Sequence, residues 1–430
     1  MKFWKLIPVV LLFFLFACKK NLTINLDNRT VAEGYYDSPQ KFEQAAVGGY
    51  VDLRRALVAN YAFLMYGEAR TGDLAVATDY QPAVVSQKLT SDNRYVKQLT
   101  DWEYFYDVIH DANDLLDNIN KADNSILNGY KRNLYKGEAL ALKSYAYFYM
   151  ARIWGDIASA ETNNFGKHLT NQEAVTLASG FASEAKRLLP WRLLNDSEIE
   201  SAALTNIRFS KTSVTSLLAH EELWLGKAQD AYTLLTNTFT TATTDSLSDF
   251  GISMGVDRRT DIPQKPLDAG VVSMTIDSLN AIYPAGDSRR AGMFNISSDG
   301  KTATMIVADA TILPLITKRE LNLLFAEAAW RSGNLNAAKT YLIRAATGAK
   351  EDYSTLTDAT FANALLKERR RMLVGTGQRV FDLIRLGKVS TYIPAFTDAD
   401  VQKGAAYWPL SANSLKGSSL SQNSYWLSKK

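Results

Sequence analysis

Apolar positions recur at helical spacing along most of the chain. Behind Asp37-Ser38-Pro39, the residues Phe42, Ala45, Ala46, Tyr50, Leu53 and Leu57 fall on one face, which predicts an amphipathic helix with a capping side chain ahead of Pro39 in the first turn. Trp102, Phe105, Ile109, Leu116 and Ile119 form a second stripe, and Leu134, Ala141, Leu142, Tyr145 and Tyr149 a third. Helix packed on helix is the expected architecture, so the fold class is mostly α.

Two later segments read as helix pairs. Val214, Leu217, Leu218 and Leu225 precede a turn at Gly226, and Ala228, Ala231, Leu234 and Leu235 follow it. Leu321, Leu324, Phe325 and Ala328 precede Ser332-Gly333-Asn334, and Ala337, Ala338, Tyr341 and Leu342 follow. Both pairs resemble tetratricopeptide helical hairpins, in which small alanines permit close approach and glycine closes the turn. They are not in tandem at a fixed period, so the scaffold is expected to be irregular, with long inserted segments at 69–99 and 240–311. Inserted loops of that length inside a compact domain are commonly functional. The alternation in VVSMTIDS predicts a short strand inside the second insert.

The N-terminus carries a different pattern. Lys2 and Lys5 lead into Leu6 to Ala17, which has no charge, and the run ends at Cys18, the single cysteine of the 430 residues. The run is shorter than the ~20 residues a helix needs to cross a hydrocarbon core of ~30 Å, so it reads as a secretory signal. Leu15-Phe16-Ala17-Cys18 resembles the bacterial lipobox, which implies cleavage before Cys18 and lipidation of its thiol and new amine; several acyl chains anchor durably where one is marginal. The expected organisation is a signal peptide at 1–17, a lipidated polar tether at 18–36, and one helical domain at 37–430. A lone cysteine also rules out an intramolecular disulfide.

Charge and composition remove several function classes. With 48 Lys and Arg against 45 Asp and Glu, and no clustered basic face along the chain, a nucleic-acid surface is not expected. The 47% apolar and 22% charged content is that of a folded globular protein. His110, His168 and His220 lack metal-ligand spacing, and no G-x-S-x-G, Walker or G-x-G-x-x-G pattern is present. No metal, no cofactor and no catalytic constellation is therefore expected, although spacing alone does not test every pair of the 45 acids as glycosidase carboxylates.

Six segments in order carry a family resemblance: SPQKFEQAAVGGYVDLR, WEYFYDVIHDANDLLDNI, GEALALKSYAYFYMARIWGD, FAEAAWRSGNLNAAKTYL, KERRRMLVGTGQRVFDLIRLGK and YWPLSANSLKGSSLSQNSYW. Behind a lipobox, this combination resembles the SusD/RagB-type outer-membrane nutrient-binding lipoproteins of Bacteroidetes. The resemblance implies a SusD-like fold and a non-catalytic protein, lipid-anchored at the outer membrane and surface-exposed, that captures glycans or other nutrients for a SusC-like TonB-dependent transporter. Lys19-Lys20-Asn21 lacks the acidic residues associated with export to the outer face. The rival reading is a tetratricopeptide-like adaptor lipoprotein whose concave face holds another protein.

The resemblance also points to residues. From Lys367 onward Glu368, Arg369, Arg370, Gly377, Arg379, Phe381, Asp382, Leu383 and Arg385 match the family pattern, whereas Met372 and Thr376 stand where it has glutamates. The arginines suit either an anion site or a structural ion-pair network of Glu368, Arg369, Arg379 and Asp382, with Arg379 paired to Asp382 or Glu368; the network is favoured. Sugars present apolar C–H faces and rings of hydroxyls, so aromatic platforms beside hydrogen-bonding side chains are the chemistry to seek. Arg70, Asp73, Tyr80, Asn93 and Tyr95 in the first insert, with Arg94 between the last two, are candidate ligand residues, as are Tyr283 and Arg289 in the second. Asp287-Ser288-Arg289 resembles the family's Asp-Pro-Arg segment, with a structural Asp287–Arg289 pair as the alternative.

Overall fold

A computed structural model describes residues 34–90, 93–94, 96–160, 166–239, 249–253, 270–307, 312–416 and 418–429. The expected signal peptide, Cys18 and most of the tether lie outside the described residues, as does Tyr95. The principal helices are α1 (Pro39–Val58), α2 (Glu103–Lys121), α3 (Gly129–Trp154), α4 (Asn171–Leu188), α5 (Lys211–Trp224), α6 (Ala228–Thr238), α7 (Lys318–Arg331), α8 (Leu335–Ala345), α9 (Asp358–Met372) and α10 (Arg379–Arg385). The predicted stripes of α1 and α2 are buried as expected, except that Ala45 and Leu116 are half-buried at their edges. Pro39 opens α1, but the extended Ser38 makes no side-chain cap there.

The strands are β1 (Ala75–Val76), β2 (Ile157–Ala158), β3 (His168–Leu169), β4 (Phe250–Ser253), β5 (Val272–Thr275), β6 (Phe294–Ile296), β7 (Thr302–Met305) and β8 (Ile312–Ile316). β1, β5, β7 and β6 form one antiparallel sheet in that order, and β2–β3 and β4–β8 form separate antiparallel pairs. The strand predicted in VVSMTIDS is β5, which joins the second insert to the first by pairing with β1.

The pairs α5–α6 and α7–α8 are the two predicted hairpins. Gly226 and Gly333 close them at φ 79° and 85°, a left-handed backbone that glycine adopts without a Cβ clash. One expectation was too narrow: α3 is not amphipathic, because every residue from Gly137 to Trp154 is buried among α1, α2, α4 and their neighbours. Burial on all sides leaves its polar groups dependent on distant partners. Arg208 grips Glu138 through two nitrogens at 2.7 and 2.6 Å, and the Tyr50 hydroxyl donates to the same carboxylate at 2.9 Å. Ser144 donates to Glu221 at 2.6 Å, and burial pushes the Glu221 carboxyl well above the usual carboxylate range. Arg152 lies against the rings of Phe148, Tyr149 and Phe381 at 4.4 to 4.7 Å and donates to Gln378.

The arginines of α9 and α10 form a buried ion-pair network. Arg369 meets Asp382 at 2.8 Å and Glu320 at 3.3 Å, and Arg385 meets Glu327 at 2.8 Å and Asp382 at 3.1 Å. Arg370 pairs with Glu68 and with Asp73, and Arg371 with Glu351 and Glu368. His220 joins the network as a neutral imidazole. Its Nδ1 faces the Arg385 guanidinium, so the proton belongs on Nε2, which donates to Glu320 at 2.9 Å; burial and the two arginines lower its basicity.

Arg379 departs from the expected pairing. Asp382 is engaged by Arg369 and Arg385, and Glu368 by Arg289 and Arg371, so among the described residues no carboxylate is left within ion-pair reach of Arg379. Its guanidinium lies 4.5 Å over the Tyr392 ring, and burial followed by the neighbouring Arg370 charge lowers it from the usual arginine value.

Candidate ligand-binding site

The site begins where α1 ends. Its stripe stops at Val58, and the chain reverses through Ala59–Tyr61 before a short buried helix, Ala62–Gly67. Asn60 (φ 56°) and Tyr61 (φ 52°) are both left-handed, a conformation that asparagine tolerates and tyrosine rarely adopts. Two bonds hold this turn: the Asn60 amide donates to Gln98 Oε1 at 2.7 Å, and the Tyr80 hydroxyl donates to the Asn60 carbonyl at 2.8 Å. Backbone held in a sparsely populated region by its surroundings is a pointer to function.

Beside the turn lies an open cavity of about 410 Å³ whose wall includes Tyr61, Thr78, Asp79, Tyr80, Arg94 and Gln98. Two tyrosines supply apolar ring faces, while an amide, a carboxylate and a guanidinium supply donors and acceptors. The Thr78 hydroxyl is buried and has no hydrogen-bond partner among the described residues. Burial and then the neighbouring Tyr61 and Asp79 push the Tyr80 phenol well above its ordinary value, so Tyr80 remains a neutral donor. This mixture suits a neutral polyhydroxylated ligand. Among the described residues no group of three or more His, Cys, Asp or Glu side chains converges as a metal site.

The sequence-derived candidates separate on inspection. Tyr80 and Arg94 line the cavity, and Asn93 shapes the turn beside it, its amide donating to the Lys88 carbonyl at 2.9 Å. Arg70 does not face a ligand: it is 1% exposed, its guanidinium donates to the carbonyls of Ala405 and Ala406, and burial lowers it to about 9. Asp73 is taken up by Arg370 at 3.1 Å. Tyr283 is also a correction, being 1% exposed with its hydroxyl donating to the Arg371 carbonyl at 2.7 Å, so it offers no platform. Arg289 ion-pairs with Asp287 and Glu368, the structural alternative foreseen for that segment.

Comparison with known proteins agrees with this architecture. Residues 27–221 match the family described as "Starch-binding associating with outer membrane", and residues 320–426 match the SusD family. The chain belongs to the SusD/RagB family. A SusD-like protein, P38, of Formosa agariphila is 25% identical over 229 residues, which is 51% of this chain and 42% of that protein; the match takes in less than half of the relative's length. A SusD superfamily protein from Bacteroides thetaiotaomicron superposes with a TM-score of 0.76 at 21% identity, over 91% of this chain and 99% of that one. NanU of B. fragilis gives 0.66 at 18% identity over 90% and 97%, and a SusD-like carbohydrate binding protein from Bacteroides vulgatus gives 0.63 at 16% over 81% and 83%. At these identities the structural likeness is one of fold.

In this SusD/RagB chain, sequence reasoning missed Asn60, Tyr61, Thr78, Asp79 and Gln98. Only one of them carried a usable signal: asparagine just past the last apolar residue of a helix favours the left-handed exit seen at Asn60. No helix among the described residues is long and apolar enough to cross a membrane.

Proposed function

We propose that the protein is a non-catalytic glycan-capture lipoprotein. In this reading Cys18 anchors it at the outer membrane with the domain exposed at the cell surface, and the bound oligosaccharide passes to a SusC-like TonB-dependent transporter. The observation that carries the reading is the cavity at the Asn60–Tyr61 turn, where Tyr61 and Tyr80 stand among an amide, a carboxylate and a guanidinium. The membership in a family described as starch-binding and outer-membrane-associated supports the same ligand class.

Calorimetry on the soluble chain lacking residues 1–18, with a panel of neutral oligosaccharides that includes maltoheptaose, tests the binding site. Tyr61→Ala and Tyr80→Ala should each weaken binding about tenfold or more, the penalty of truncating a central aromatic anchor. Tyr80→Phe separates the ring from the hydroxyl that pins Asn60. Unchanged affinity in both alanine variants would move the site elsewhere, and a wild-type chain that binds none of the panel would overturn glycan capture. Cys18→Ser should release the full-length protein from the membrane fraction.

A further inference from the structure

Two other cavities share a wall at Lys318. One, of about 420 Å³, is bordered by Trp191, Arg192, Thr212 and Ser216; the other, of about 400 Å³, by Arg319, Asn322, Arg344 and Thr347. Among the described residues no Asp or Glu lines either cavity, and the nearest acid at the shared wall is Asp249, whose carboxylate accepts the Lys318 backbone N–H at 2.8 Å. The described lining is thus basic and neutral in a chain with nearly as many acids as bases.

Among the described residues, two of the five cations along this groove, Arg289 and Arg192, have carboxylate partners within it or beside it. Arg289, on the wall of the second cavity, is neutralised by Asp287 and Glu368, and Arg192 is 3.8 Å from Glu200. Arg319 and Arg344 differ. Both are exposed, and among the described residues neither has a carboxylate partner; Arg344 lies only against the Tyr341 ring at 5.4 Å. Two unmatched guanidinium groups facing one concavity repel each other until an anion enters, and their planar forks suit sulfate or carboxylate oxygens. In the adjoining cavity Trp191 is 43% exposed; Lys211 Nζ lies 5.7 Å over one face of its ring and Phe239 meets it edge-on, so the stacking surface for a sugar ring is the remaining exposed indole.

We propose that this groove is a second ligand site, for an acidic saccharide whose sulfate or carboxylate is held by Arg319 and Arg344 while a neighbouring ring stacks on Trp191. It is separate from the cavity at Tyr61 and Tyr80, which has a different set of lining residues. The proposal rests on saccharide binding in general and not on that first cavity.

The test compares a dextran sulfate oligosaccharide with an unsulfated isomalto-oligosaccharide of the same length, titrated calorimetrically at low and at physiological salt. The sulfated probe should bind more tightly, with affinity falling as salt rises. Arg319→Gln combined with Arg344→Gln should cost tenfold or more and flatten the salt dependence without changing the melting temperature. Trp191→Ala should weaken the same probe. A charge-matched control, Lys121→Gln with Lys301→Gln, removes two exposed charges elsewhere and should change nothing. Equal binding of the two probes, undiminished binding in the arginine double variant, or equal loss in the lysine control would each overturn the proposal. Sulfated-probe binding that disappears in the arginine variant, alongside no binding of neutral glycans, would sustain the groove and sink the Tyr61–Tyr80 site.

Discussion

Replacing Glu68 by glutamine puts the buried charges to a direct test. Glu68 is fully buried just past the helix Ala62–Gly67; its carboxylate ion-pairs with Arg370 and accepts the amide N–H groups of Gly375 and Gly377 at 3.0 Å. It thereby joins segments more than 300 residues apart. The two backbones meet closely: a Cβ on Gly67 would stand 1.6 Å from the Gly377 carbonyl oxygen, and one on Gly377, at φ 74°, 2.3 Å from that of Phe63. Glutamine keeps the shape but replaces one acceptor oxygen by an NH₂ donor. Gly375 reaches both oxygens, so the NH₂ faces either the Gly377 amide, at the Oε2 position, or the Arg370 guanidinium, at the Oε1 position; one buried donor loses its acceptor in either case, at about 1–3 kcal/mol. Breaking a buried ion pair costs about 3–5 kcal/mol when the surviving charge is fully orphaned, and Arg370 still has the half-buried Asp73, so a smaller share applies.

The combined loss is about 3–5 kcal/mol, equivalent to a fall in Tm of roughly 6–10 °C at ~2 °C per kcal/mol for a large domain. Thermal unfolding followed by circular dichroism at pH 7 reads it. Adding Arg370→Met to Glu68→Gln should recover part of the loss, because the arginine charge that lost its buried partner is gone while the glutamine oxygen still accepts from the glycine amides. A Tm within about 1 °C of wild type, or a large loss of ligand affinity with an unchanged melting curve, would refute the structural reading of these arginines.

Two predictions concern pH. Burial raises the Glu320 carboxyl, but His220, through its charge once acid protonates it and through its hydrogen bond, outweighs it together with Arg369 and Arg152 and brings the group down to about 2. A folded-state value below the unfolded one means the stabilisation is present above pH ~4.5 and is lost as pH falls towards 2, to the extent of about 3 kcal/mol. Urea midpoints at pH 7, 4 and 3 should fall more steeply for wild type than for Glu320→Gln; parallel acid limbs would count against it. Between α1 and α2 the sign reverses: partial desolvation at the helix seam, then the hydrogen bond and charge of Asp52, raise the Asp111 carboxyl although its side chain still reaches solvent, and burial with Asp52 and Glu103 raises Asp107 to about 6. That stabilisation is present in acid and lost as pH rises, so the Tm of Asp111→Asn relative to wild type should be higher at pH 8 than at pH 5. A pH-independent difference would contradict it.

Helices were legible wherever one face meets water, as in α1, α2 and the two hairpins, because the 3.6-residue period then separates apolar from polar positions. α3 escaped that logic, since Glu138, Ser144 and Arg152 are polar by sequence yet buried, and their partners Arg208, Glu221 and Gln378 stand 70 or more residues away. The arginine network was foreseen in kind but not in its connections. The glutamates missing at Met372 and Thr376 left the partners unassigned, and the fold supplies them as Glu68, Glu320 and Glu351. Arg70 and Tyr283 were read as ligand-facing because they sit in polar inserts. Inserts also send side chains inward, and both residues hydrogen-bond to core carbonyls.

The Asn60–Tyr61 turn was illegible for a deeper reason. Left-handed non-glycine backbone costs about 1–3 kcal/mol per residue, least for asparagine, so no local preference selects it at Tyr61. The bonds from Gln98 and Tyr80 return about 1 kcal/mol each, which does not cover two strained residues. The remainder has to come from what the turn makes possible: the six residues of Ala62–Gly67 are all buried, with Gly67 pressed against Gly377 and Glu68 locked to Arg370. The cavity wall is thus held in shape by the same buried contacts that hold the two ends of the chain together. In the proposed reading, a ligand meeting Tyr61 and Tyr80 would find its platforms already ordered, the entropy of arranging them having been met by folding and not by binding.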